Sequence, residues 1–370
     1  MTYAAAGVDV EAGDRAVELM KAAVARTHGP EVVSGVGGFA GLFDLSMVKD
    51  YRRPLLAGST DGVGTKVAVA RALGRHDTIG LDLVAMVVDD IVVCGAKPLV
   101  MTDYIACGRV VPERIAAVVA GIAHGCELAG CALVGGETAE HPGLLEPDEY
   151  DVAGAAFGVV EADDLLGPHR VQPGDAVVAM ASSGLHSNGY SLVRRVFGRA
   201  GWSYERHVDE LGRTLGEELL EPTRIYAADA LDLAAALGAG LHAFSHVTGG
   251  GLAANLARVL PAGVHAVVDR GTWRPGPVFE LVARLGAVPR ADLERTLNLG
   301  VGMVAVLDPA DADAAMARLA GRGVDAWVLG TVAAGEPVDA GGDVVHGADV
   351  VRGTKGVQGG AVVMVGEHRG

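Results

Sequence analysis

The stretch Ala57–Lys66 constrains the fold most. A short apolar run, Pro54–Ala57, passes directly into it, and the residues that follow are rich in glycine and charge. The apolar run predicts a strand, and Gly62 and Gly64 then allow the backbone to turn its N–H groups toward an anion. Lys66 would attract a phosphate, whereas the negative charge of Asp61 would repel it. A divalent cation bound between the Asp61 carboxylate and the phosphate would remove this repulsion. The spacing is not that of a P-loop. The alternative is a glycine-rich turn whose Asp61 and Lys66 are solvated.

Two later segments repeat this combination of apolar run, glycine and acid. Thr78–Cys94 predicts a helix whose last turns contain Asp89 and Asp90, an unfavourable position for negative charge unless a cation neutralises it. Ala132–Glu140 predicts a short strand followed by two glycines and Glu137. A solvated loop explains each segment alone, whereas all three together with Asp61 predict a polyphosphate bound with Mg²⁺.

Composition limits the class of protein. The 370 residues predict two domains, and with only 4% aromatic residues the core must be built from Ala, Val and Leu. A net charge of −16 argues against a sequence-independent hold on nucleic acid. We identify no membrane span and no secretory signal, and the four cysteines form no CxxC pair. We therefore expect reduced thiols in a cytoplasmic protein.

Two N-terminal features are candidates for nucleotide binding. In Ser34–Gly41, Gly35 and Gly37 belong to a match to G-x-G-x-x-A, but no strand precedes it and no regular helix follows. We reject the dinucleotide fingerprint and interpret the segment as a loop that folds over a nucleotide, with a plain loop as the alternative. Lys21 lies off the apolar face of a predicted helix, Asp14–Thr27, where it is either solvated or reaches a phosphate.

Two segments of the second half resemble each other. Ser182–Ser191 and His246–Leu252 each follow a strand and open a helix, which predicts anion binding through free backbone N–H groups. An ordinary helix cap is the alternative. Ser187 lacks the G-x-S-x-G frame of a hydrolase nucleophile.

Strands and helices alternate in both halves and predict mixed α+β layers. The predicted helices include Pro112–Ala129 and Glu221–Leu237. We predict domains over 1–168 and 169–332, and a mobile, Gly- and Asp-rich tail over 333–370.

Eight motifs in order resemble the phosphoribosylformylglycinamidine cyclo-ligase (AIR synthetase) family: SGVGGFAG, STDGVGTK, GLDLVAMVVDDIVVCGAKPL, VGGETAE, SSGLHSNGYSLVR, EPTRIY, HVTGGG and NLGVGM. The resemblance covers nearly the whole chain except the tail. It implies an α+β fold with an N-terminal mixed-sheet domain that dimerises and a C-terminal α/β sandwich domain. It also implies that ATP drives the cyclisation of formylglycinamidine ribonucleotide to 5-aminoimidazole ribonucleotide in purine biosynthesis, through an iminophosphate, with release of ADP and phosphate.

The resemblance also implies roles for individual residues. The implied Mg²⁺ ligands are Asp61, Asp90 and Glu137, and the implied catalytic residues are Asp61, Lys66, His186 and His246. The implied ATP-binding residues are Lys21, Gly35, Gly37, Gly38, Phe39, Gly62, Gly64 and Thr65. The implied substrate-binding residues are Ser183, Ser187, Asn188, Thr248, Gly249 and Gly250. For each histidine, a hydrogen bond that holds a helix start is the alternative.

The chain departs from the family pattern at Asp89, where Asn is usual, at Leu185, where Pro is usual, and at His141, where Met is usual. None of these changes removes a group that the chemistry requires. The rival interpretations are a thiamine-monophosphate kinase of the same superfamily and a catalytically silent nucleotide-binding scaffold. The complete set of acids at Asp61, Asp90 and Glu137 speaks against the scaffold.

Overall fold

A computed structural model describes residues 9–33, 38–335, 337, 349–353 and 359–369. These residues form two compact units, each assembled from separate stretches of the chain. The first comprises the described residues up to Val92, Ala96–Asp163 and Thr214–Ala228; the second comprises Val93–Gly95, Asp164–Arg213 and the described residues from Asp229 onward. The predicted division at residue 168 is therefore wrong in one respect, because Thr214–Ala228 belongs to the first unit.

The first unit is a four-stranded sheet packed against helices. Its helices are α1 (Val10–Arg26), α2 (Val67–Leu73), α3 (Ile79–Val92) and α4 (Pro112–Ala129), and its strands are β1 (Pro54–Gly62), β2 (Lys97–Cys107), β3 (Ala132–Glu140) and β4 (Tyr150–Glu161). The strand order is β1-β4-β2-β3, with β2 and β3 parallel and the other neighbours antiparallel. Twelve of the 14 residues of α3 are buried, so this helix lies at the centre of the unit.

Glycines allow the close packing of α3 on α4. A Cβ at Gly80 would lie 2.0 Å from the backbone nitrogen of Ile122, and one at Gly121 would lie 2.3 Å from the carbonyl oxygen of Asp77. Real Cβ atoms do not approach backbone so closely, so both positions require glycine. The two helices thereby bury the apolar side chains of α3 between α4 and the sheet.

The second unit is built on a seven-stranded sheet and contains most elements after β4, whereas residues 215–219 form a helix of the first unit. In chain order the elements after β4 are β5 (Ala176–Ala181), α5 (Tyr190–Arg199), β6 (His207–Val208), β7 (Arg213–Thr214), α6 (Leu215–Leu219), α7 (Ala227–Leu237), β8 (Leu241–His246), α8 (Gly251–Arg258), β9 (Val264–Asp269), α9 (Pro277–Gly286), α10 (Arg290–Thr296), β10 (Val301–Leu307), α11 (Ala312–Gly321), β11 (Ala326–Ala334), β12 (Asp349–Arg352) and β13 (Ala361–Val365). The sheet order is β12-β13-β9-β11-β5-β10-β8. Two of its inner strands, β5 and β10, are almost entirely buried, as expected for continuous apolar runs.

The end of the chain contributes to this sheet. Strand β13 pairs in parallel with β9, and β12 pairs with β13. Val362 and Met364 are buried in the core of the second unit. The prediction of a mobile tail over 333–370 is therefore wrong for Ala361–Val365, whose short apolar run is hidden in the sequence by the Gly- and Asp-rich residues before it.

The predicted helix Glu221–Leu237 is too long at its start, because the helix begins only at Ala227. The preceding residues are drawn toward buried carboxylates of α3 instead of forming a helical turn. The backbone N–H and the hydroxyl of Thr223 both donate to Asp82 Oδ1, at 2.8 and 2.6 Å, and the N–H of Tyr226 donates to Asp89 at 3.0 Å. These bonds also explain why Thr214–Ala228 joins the first unit.

Candidate functional site

The end of β1 and the loop after it expose three of the groups that the sequence assigned to phosphate and metal. Asp61, Gly64 and Thr65 are exposed, and Gly64 has a φ of 72°, which places it in the left-handed region. Asp61 Oδ1 accepts the N–H of Gly62 at 2.7 Å, which fixes the carboxylate at the end of the strand. A carboxylate next to a glycine turn at the surface suits a hydrated cation that carries phosphate.

Lys66 does not fit its predicted role of countering phosphate charge. Its side chain is completely buried, and Nζ lies 2.8 Å from Asp82 Oδ1 and 2.6 Å from the carbonyl oxygen of Glu221. Burial lowers the pKa of Lys66, while the neighbouring Asp82 opposes that shift. The ammonium therefore holds the segment beginning at Glu221 against α3, and a phosphate would reach it only if these contacts broke.

The adjacent acids of α3 separate into a buried and an exposed carboxylate. Asp89 is fully buried and accepts the N–H of Tyr226, whereas Asp90 is exposed. Asp89, which stands where the family usually has Asn, thus has a packing role that a side-chain amide oxygen could also fill. Asp90 is the acid of this pair that is accessible to a metal ion.

The sheet does not bring Asp61 and Glu137 together within one chain. Across the sheet from Asp61 of β1, the paired residues are Gly154 of β4, Asp103 of β2 and Gly136 of β3. The residue of β3 in line with Asp61 is therefore Gly136, one residue before Glu137. Since successive side chains alternate between faces, Glu137 points to the opposite face. The outer strands are also about 14 Å apart, at three strand spacings.

Asp90 is likewise distant from Asp61. Its neighbour Ile91 packs on Gly158 of β4, whereas Asp61 pairs with Gly154, four residues and about 13 Å along the same strand. No group of three or more metal-ligating side chains occurs among the residues that the structure describes. The predicted set of three acids therefore does not fit one shared ion. Asp61 and Asp90 each fit Mg²⁺ separately, because Mg²⁺ often takes only one or two carboxylates and completes its shell with phosphate and water.

The other predicted nucleotide ligands of the first unit fall into three groups. Gly35 and Gly37 lie outside the described residues. Gly38 and Phe39 are exposed, and the aromatic ring of Phe39 is fully accessible to solvent in the part of the chain that the structure describes. Lys21 is exposed and lies 2.5 Å from Glu18, one turn earlier in α1, which agrees with the solvated alternative.

In the second unit, the loop between β5 and α5 is tightly ordered by its own polar groups. His186 is buried with a φ of 61°, and its Nε2 accepts the backbone N–H of Ser183 at 3.1 Å. While that bond is kept, neutral His186 carries its proton on Nδ1. Ser182 Oγ donates to the carbonyl oxygen of Gly184 at 2.9 Å. The geometry at His186 matches the hydrogen-bonding alternative that the sequence left open.

The loop between β8 and α8 is organised by Asn255, which the sequence analysis missed. The buried Asn255 Nδ2 donates to the carbonyl oxygens of Thr248, Gly249 and Gly251, at 3.3, 3.4 and 2.9 Å. Because these carbonyl groups turn toward Asn255, its side chain fixes the shape of the loop at the start of α8. His246, the last residue of β8, is buried.

These two loops meet in the second unit. A Cβ at Gly249 would lie 3.3 Å from Asn188 Oδ1, so the two predicted substrate ligands are in contact. Asn298, a residue of the NLGVGM motif without an assigned role, donates from Nδ2 to the carbonyl oxygen of Gly184 at 2.9 Å. The sequence signal for Asn298 is its place beside the glycines of the NLGVGM motif. A side-chain amide in such a position can fix a loop by hydrogen bonds to its backbone.

A cavity of about 470 Å³ adjoins the first turn of α8. Gly250, Arg295 and Leu299 line it, together with Trp273 and Met364. Its wall combines the helix start and Arg295 with apolar side chains and with the carboxylates of Glu294 and Asp349, so it carries both signs of charge.

One titratable group of the first unit was also missed. Asp103 lies in the middle of the sheet, and burial raises its pKa to about 7. Glycines occupy the paired positions on both neighbouring strands, and a Cβ at Gly136 would lie 2.2 Å from Asp103 Oδ1. The carboxyl group therefore fills the space that a side chain at Gly136 would take.

Comparison with known proteins identifies the family. Residues 46–160 match the model described as AIR synthase related protein, N-terminal domain, and residues 172–342 match the corresponding C-terminal domain. A protein of Anaeromyxobacter sp. (strain Fw109-5) named phosphoribosylformylglycinamidine cyclo-ligase is 54% identical over 336 residues, which cover 90% of this chain and 96% of that protein. The chain belongs to the phosphoribosylformylglycinamidine cyclo-ligase family. A family member from Lachnospira eligens is 47% identical over 91% of this chain and 98% of its own length.

Solved structures with low sequence identity share the fold of this cyclo-ligase family member. Thiamine-monophosphate kinase from Stenotrophomonas maltophilia K279a has a TM-score of 0.60 at 19% identity, covering 87% of this chain and 94% of the kinase. Hydrogenase maturation protein HypE in complex with ATP has a TM-score of 0.61 at 21% identity, covering 87% and 86%. The predicted α+β fold with two AIR-synthase-type domains is confirmed, and so is the prediction of an enzyme of this family. Among the described helices, none has the length and apolarity needed to cross a membrane.

Proposed function

We propose that the protein uses ATP to convert formylglycinamidine ribonucleotide into 5-aminoimidazole ribonucleotide, ADP and phosphate, and that it does so in the cytoplasm. The observation that carries this proposal is the identity of 54% and 47% to proteins named for that ligation, over about nine tenths of the chain. The geometry supports it, because both units present glycine turns suited to anionic groups.

The chemistry requires activation of a poor electrophile. Transfer of the γ-phosphoryl group of ATP to the formyl oxygen breaks the terminal P–O bond and releases ADP. The formamide nitrogen loses its proton in this step, which leaves an iminophosphate. The amidine nitrogen of the same molecule then attacks the activated carbon, the C–O bond breaks, and phosphate leaves with the former formyl oxygen as the nitrogen loses a proton. Since both reacting groups belong to one molecule, the enzyme mainly has to position them and stabilise charge.

The first unit supplies the candidate ATP site. Asp61 would hold Mg²⁺ on the triphosphate beside the amides of Gly62 and Gly64, with Asp90 as a second accessible carboxylate. Mg²⁺ supplies charge neutralisation for phosphoryl transfer. The structural likeness to HypE in complex with ATP agrees with nucleotide use by this fold. Phe39 and Gly38 lie on a loop that could cover the nucleotide.

The second unit supplies the candidate ribonucleotide site. Ser183, Ser187 and Asn188 lie on one loop, and Thr248, Gly249 and Gly250 lie on the loop that touches it. Together they present hydroxyl, amide and backbone groups to a ribose phosphate. His186 and His246 are the two candidate acid–base groups, and Nε2 of His186 accepts the N–H of Ser183.

The open face of the first-unit sheet supports the proposed homodimer. Leu56, Tyr104 and Phe157 have exposed fractions of 73%, 42% and 42% and lie on one face of three neighbouring strands. Leu56 and Phe157 are diagonal neighbours, whereas Tyr104 pairs with Ala153, four residues along β4 from Phe157. Apolar side chains exposed in this way on a sheet are typical of association surfaces. A Leu56→Asp, Phe157→Asp variant should lower the mass measured by light scattering to that of a monomer.

Product analysis tests the function. Purified protein, ATP and Mg²⁺ are mixed with formylglycinamidine ribonucleotide, and ADP and the aminoimidazole are measured together. Equal amounts of both products, formed only with that substrate, are expected. Consumption of ATP with thiamine monophosphate, but not with the formylglycinamidine ribonucleotide, would instead support a kinase. Tight ATP binding without turnover of either compound would support a scaffold.

A further inference from the structure

One short segment supports the glycine turns of the second unit. We call Glu294–Asn298 the buttress segment. A Cβ at Gly251, at the start of α8, would lie 1.7 Å from the carbonyl oxygen of Glu294. A Cβ at Gly189, before α5, would lie 3.0 Å from the carbonyl oxygen of Thr296 and 2.5 Å from Leu297 Cδ2. Both candidate substrate loops therefore press directly on the same few residues.

The last residue of the buttress segment holds a loop by hydrogen bonds. Asn298 is buried, donates from Nδ2 to the carbonyl oxygen of Gly184 and accepts the N–H of Gly300 at 2.9 Å. Its Oδ1 also lies 3.3 Å from Ser182 Oγ, whose proton is shared with the carbonyl oxygen of Gly184. An amide bonded on both sides has one orientation, so the loop position follows the position of Asn298. A shift of the buttress segment would move both loops.

The buttress segment is itself held by Arg270. The guanidinium is fully buried and forms a fork with Glu294, with Nε to Oε1 at 2.7 Å and Nη2 to Oε2 at 2.8 Å. Burial alone would raise the pKa of Glu294, but hydrogen bonds from Arg270 and His368 lower it to about 2. The pair is therefore ionised throughout the neutral range, and its two parallel bonds fix both distance and angle.

Arg270 also binds both strands at the end of the chain. Nη2 lies 2.6 Å from Asp349 Oδ2 at the start of β12, and Nη1 donates to the carbonyl oxygen of Met364 in β13 at 2.9 Å. Arg290 adds an ion pair with Glu367. One buried cation thus connects the C-terminal strands with the buttress segment.

We propose that Arg270 is a positioning residue for the ribonucleotide site: through Glu294 it makes the C-terminal strands β12 and β13 part of the support of both substrate loops. This inference rests on the proposed function for its kinetic consequence. Arg270 touches no reacting atom and acts only through the buttress segment. The C-terminal strands are then needed for substrate binding although they lie outside the predicted site motifs.

Steady-state kinetics and hydrogen–deuterium exchange of Arg270→Gln test this inference, with Arg318→Gln as the matched control. Arg318 also forms a two-bond fork in the second unit, to Asp232 at 2.6 and 2.8 Å, but it is exposed. In Arg270→Gln, KM for formylglycinamidine ribonucleotide should rise about tenfold or more and kcat should fall, because small misplacements of binding groups are costly. KM for ATP should stay within about twofold if only the second-unit site is disturbed.

Exchange provides a readout that does not depend on activity. Peptides covering 182–189 and 247–251 should exchange faster in Arg270→Gln than in Arg318→Gln, since local opening governs exchange. Asp349→Asn, which keeps the fork to Glu294, should show a smaller change in the same peptides. If Arg270→Gln does not fold, Arg270→Lys replaces it, because an ammonium keeps the charge but loses the fork.

Two results would overturn the inference. One is a folded Arg270 variant whose loop peptides exchange as in Arg318→Gln. The other is an equal rise of KM for ATP and for the ribonucleotide, which would indicate general loosening. An inactive wild-type protein would contradict the proposed function alone, and the exchange comparison would still decide the role of Arg270.

Discussion

Lys66 in the first unit and Arg270 in the second are both fully buried cations, yet they stabilise their surroundings differently. Lys66 is a point charge that pairs with the carboxylate of Asp82 and donates to the carbonyl oxygen of Glu221, and burial lowers its pKa. Arg270 forks onto Glu294 and also reaches Asp349, and these partners outweigh burial and raise its pKa. The difference teaches that a lysine beside a glycine loop is not necessarily a phosphate ligand, and that an arginine outside every motif can support a site.

The largest effect on stability is expected from Lys66→Met. This change leaves Asp82 buried without its cation, although Thr223 still donates to it. Breaking a buried pair in this way costs about 3–5 kcal/mol of unfolding free energy. Chemical denaturation measures the loss, with the exposed Lys49→Met as control. A loss below about 1 kcal/mol would mean that Lys66 is not held by this ion pair.

The exposed carboxylate of Asp61, five residues before Lys66, provides a contrast with that buried cation. Asp61→Asn should lower kcat at least ~100-fold through loss of transition-state charge stabilisation, with little change in stability. Asp151→Asn is the matched control, since Asp151 is also exposed on the sheet and accepts the N–H of the next residue, at 2.9 Å. Near-normal turnover of folded Asp61→Asn would remove Asp61 from the metal site.

Asp103 extends the comparison to a half-buried acid that forms no ion pair with the residues that the structure describes. Its pKa is about 7 in the folded protein against an ordinary 3.8, so the folded state binds more protons between these values. Stability therefore falls as pH rises through that window. Asp103→Asn should match the wild type near pH 4 and exceed its Tm by about 3 °C or more at pH 8. A difference that does not grow with pH would contradict the raised pKa.

The smallest effect is expected from the exposed fork. Arg318→Gln should change the unfolding free energy by less than about 1 kcal/mol, because solvent screens surface pairs. Asp232 keeps its access to water in this variant. Denaturant titration of Arg318→Gln and Arg270→Gln measures the loss of unfolding free energy in each variant. A larger loss in Arg318→Gln than in Arg270→Gln would contradict this prediction.

Helices and strands were predictable from the sequence where the spacing of apolar residues agrees with the residues that start and end an element. Helix α4 was predicted with its observed bounds because Pro112 starts it and Gly130 follows it. Tertiary hydrogen bonds overrode local pattern at Glu221–Tyr226, where Asp82 and Asp89 compete for the backbone N–H groups. Strand β13 was missed because its five residues carry too short a signal.

Residue types at the candidate site were predictable, but their burial was not. Asp61 and Asp90 are exposed as a metal site requires, whereas Lys66 is buried by packing that no local pattern reveals. The supports of the second-unit loops, Asn255 and Asn298, depend on contacts between distant turns. Single-sequence patterns contain no information on such contacts, so these residues emerge only from the structure.

The central claim, ring closure after phosphorylation of the formyl oxygen, is tested most directly by following that oxygen. Formylglycinamidine ribonucleotide labelled with ¹⁸O in the formyl group is converted with unlabelled ATP, and the phosphate released is analysed by mass spectrometry. The proposed reaction predicts one labelled oxygen in each phosphate formed along with the aminoimidazole product. Unlabelled phosphate, with the label lost to water, would contradict it.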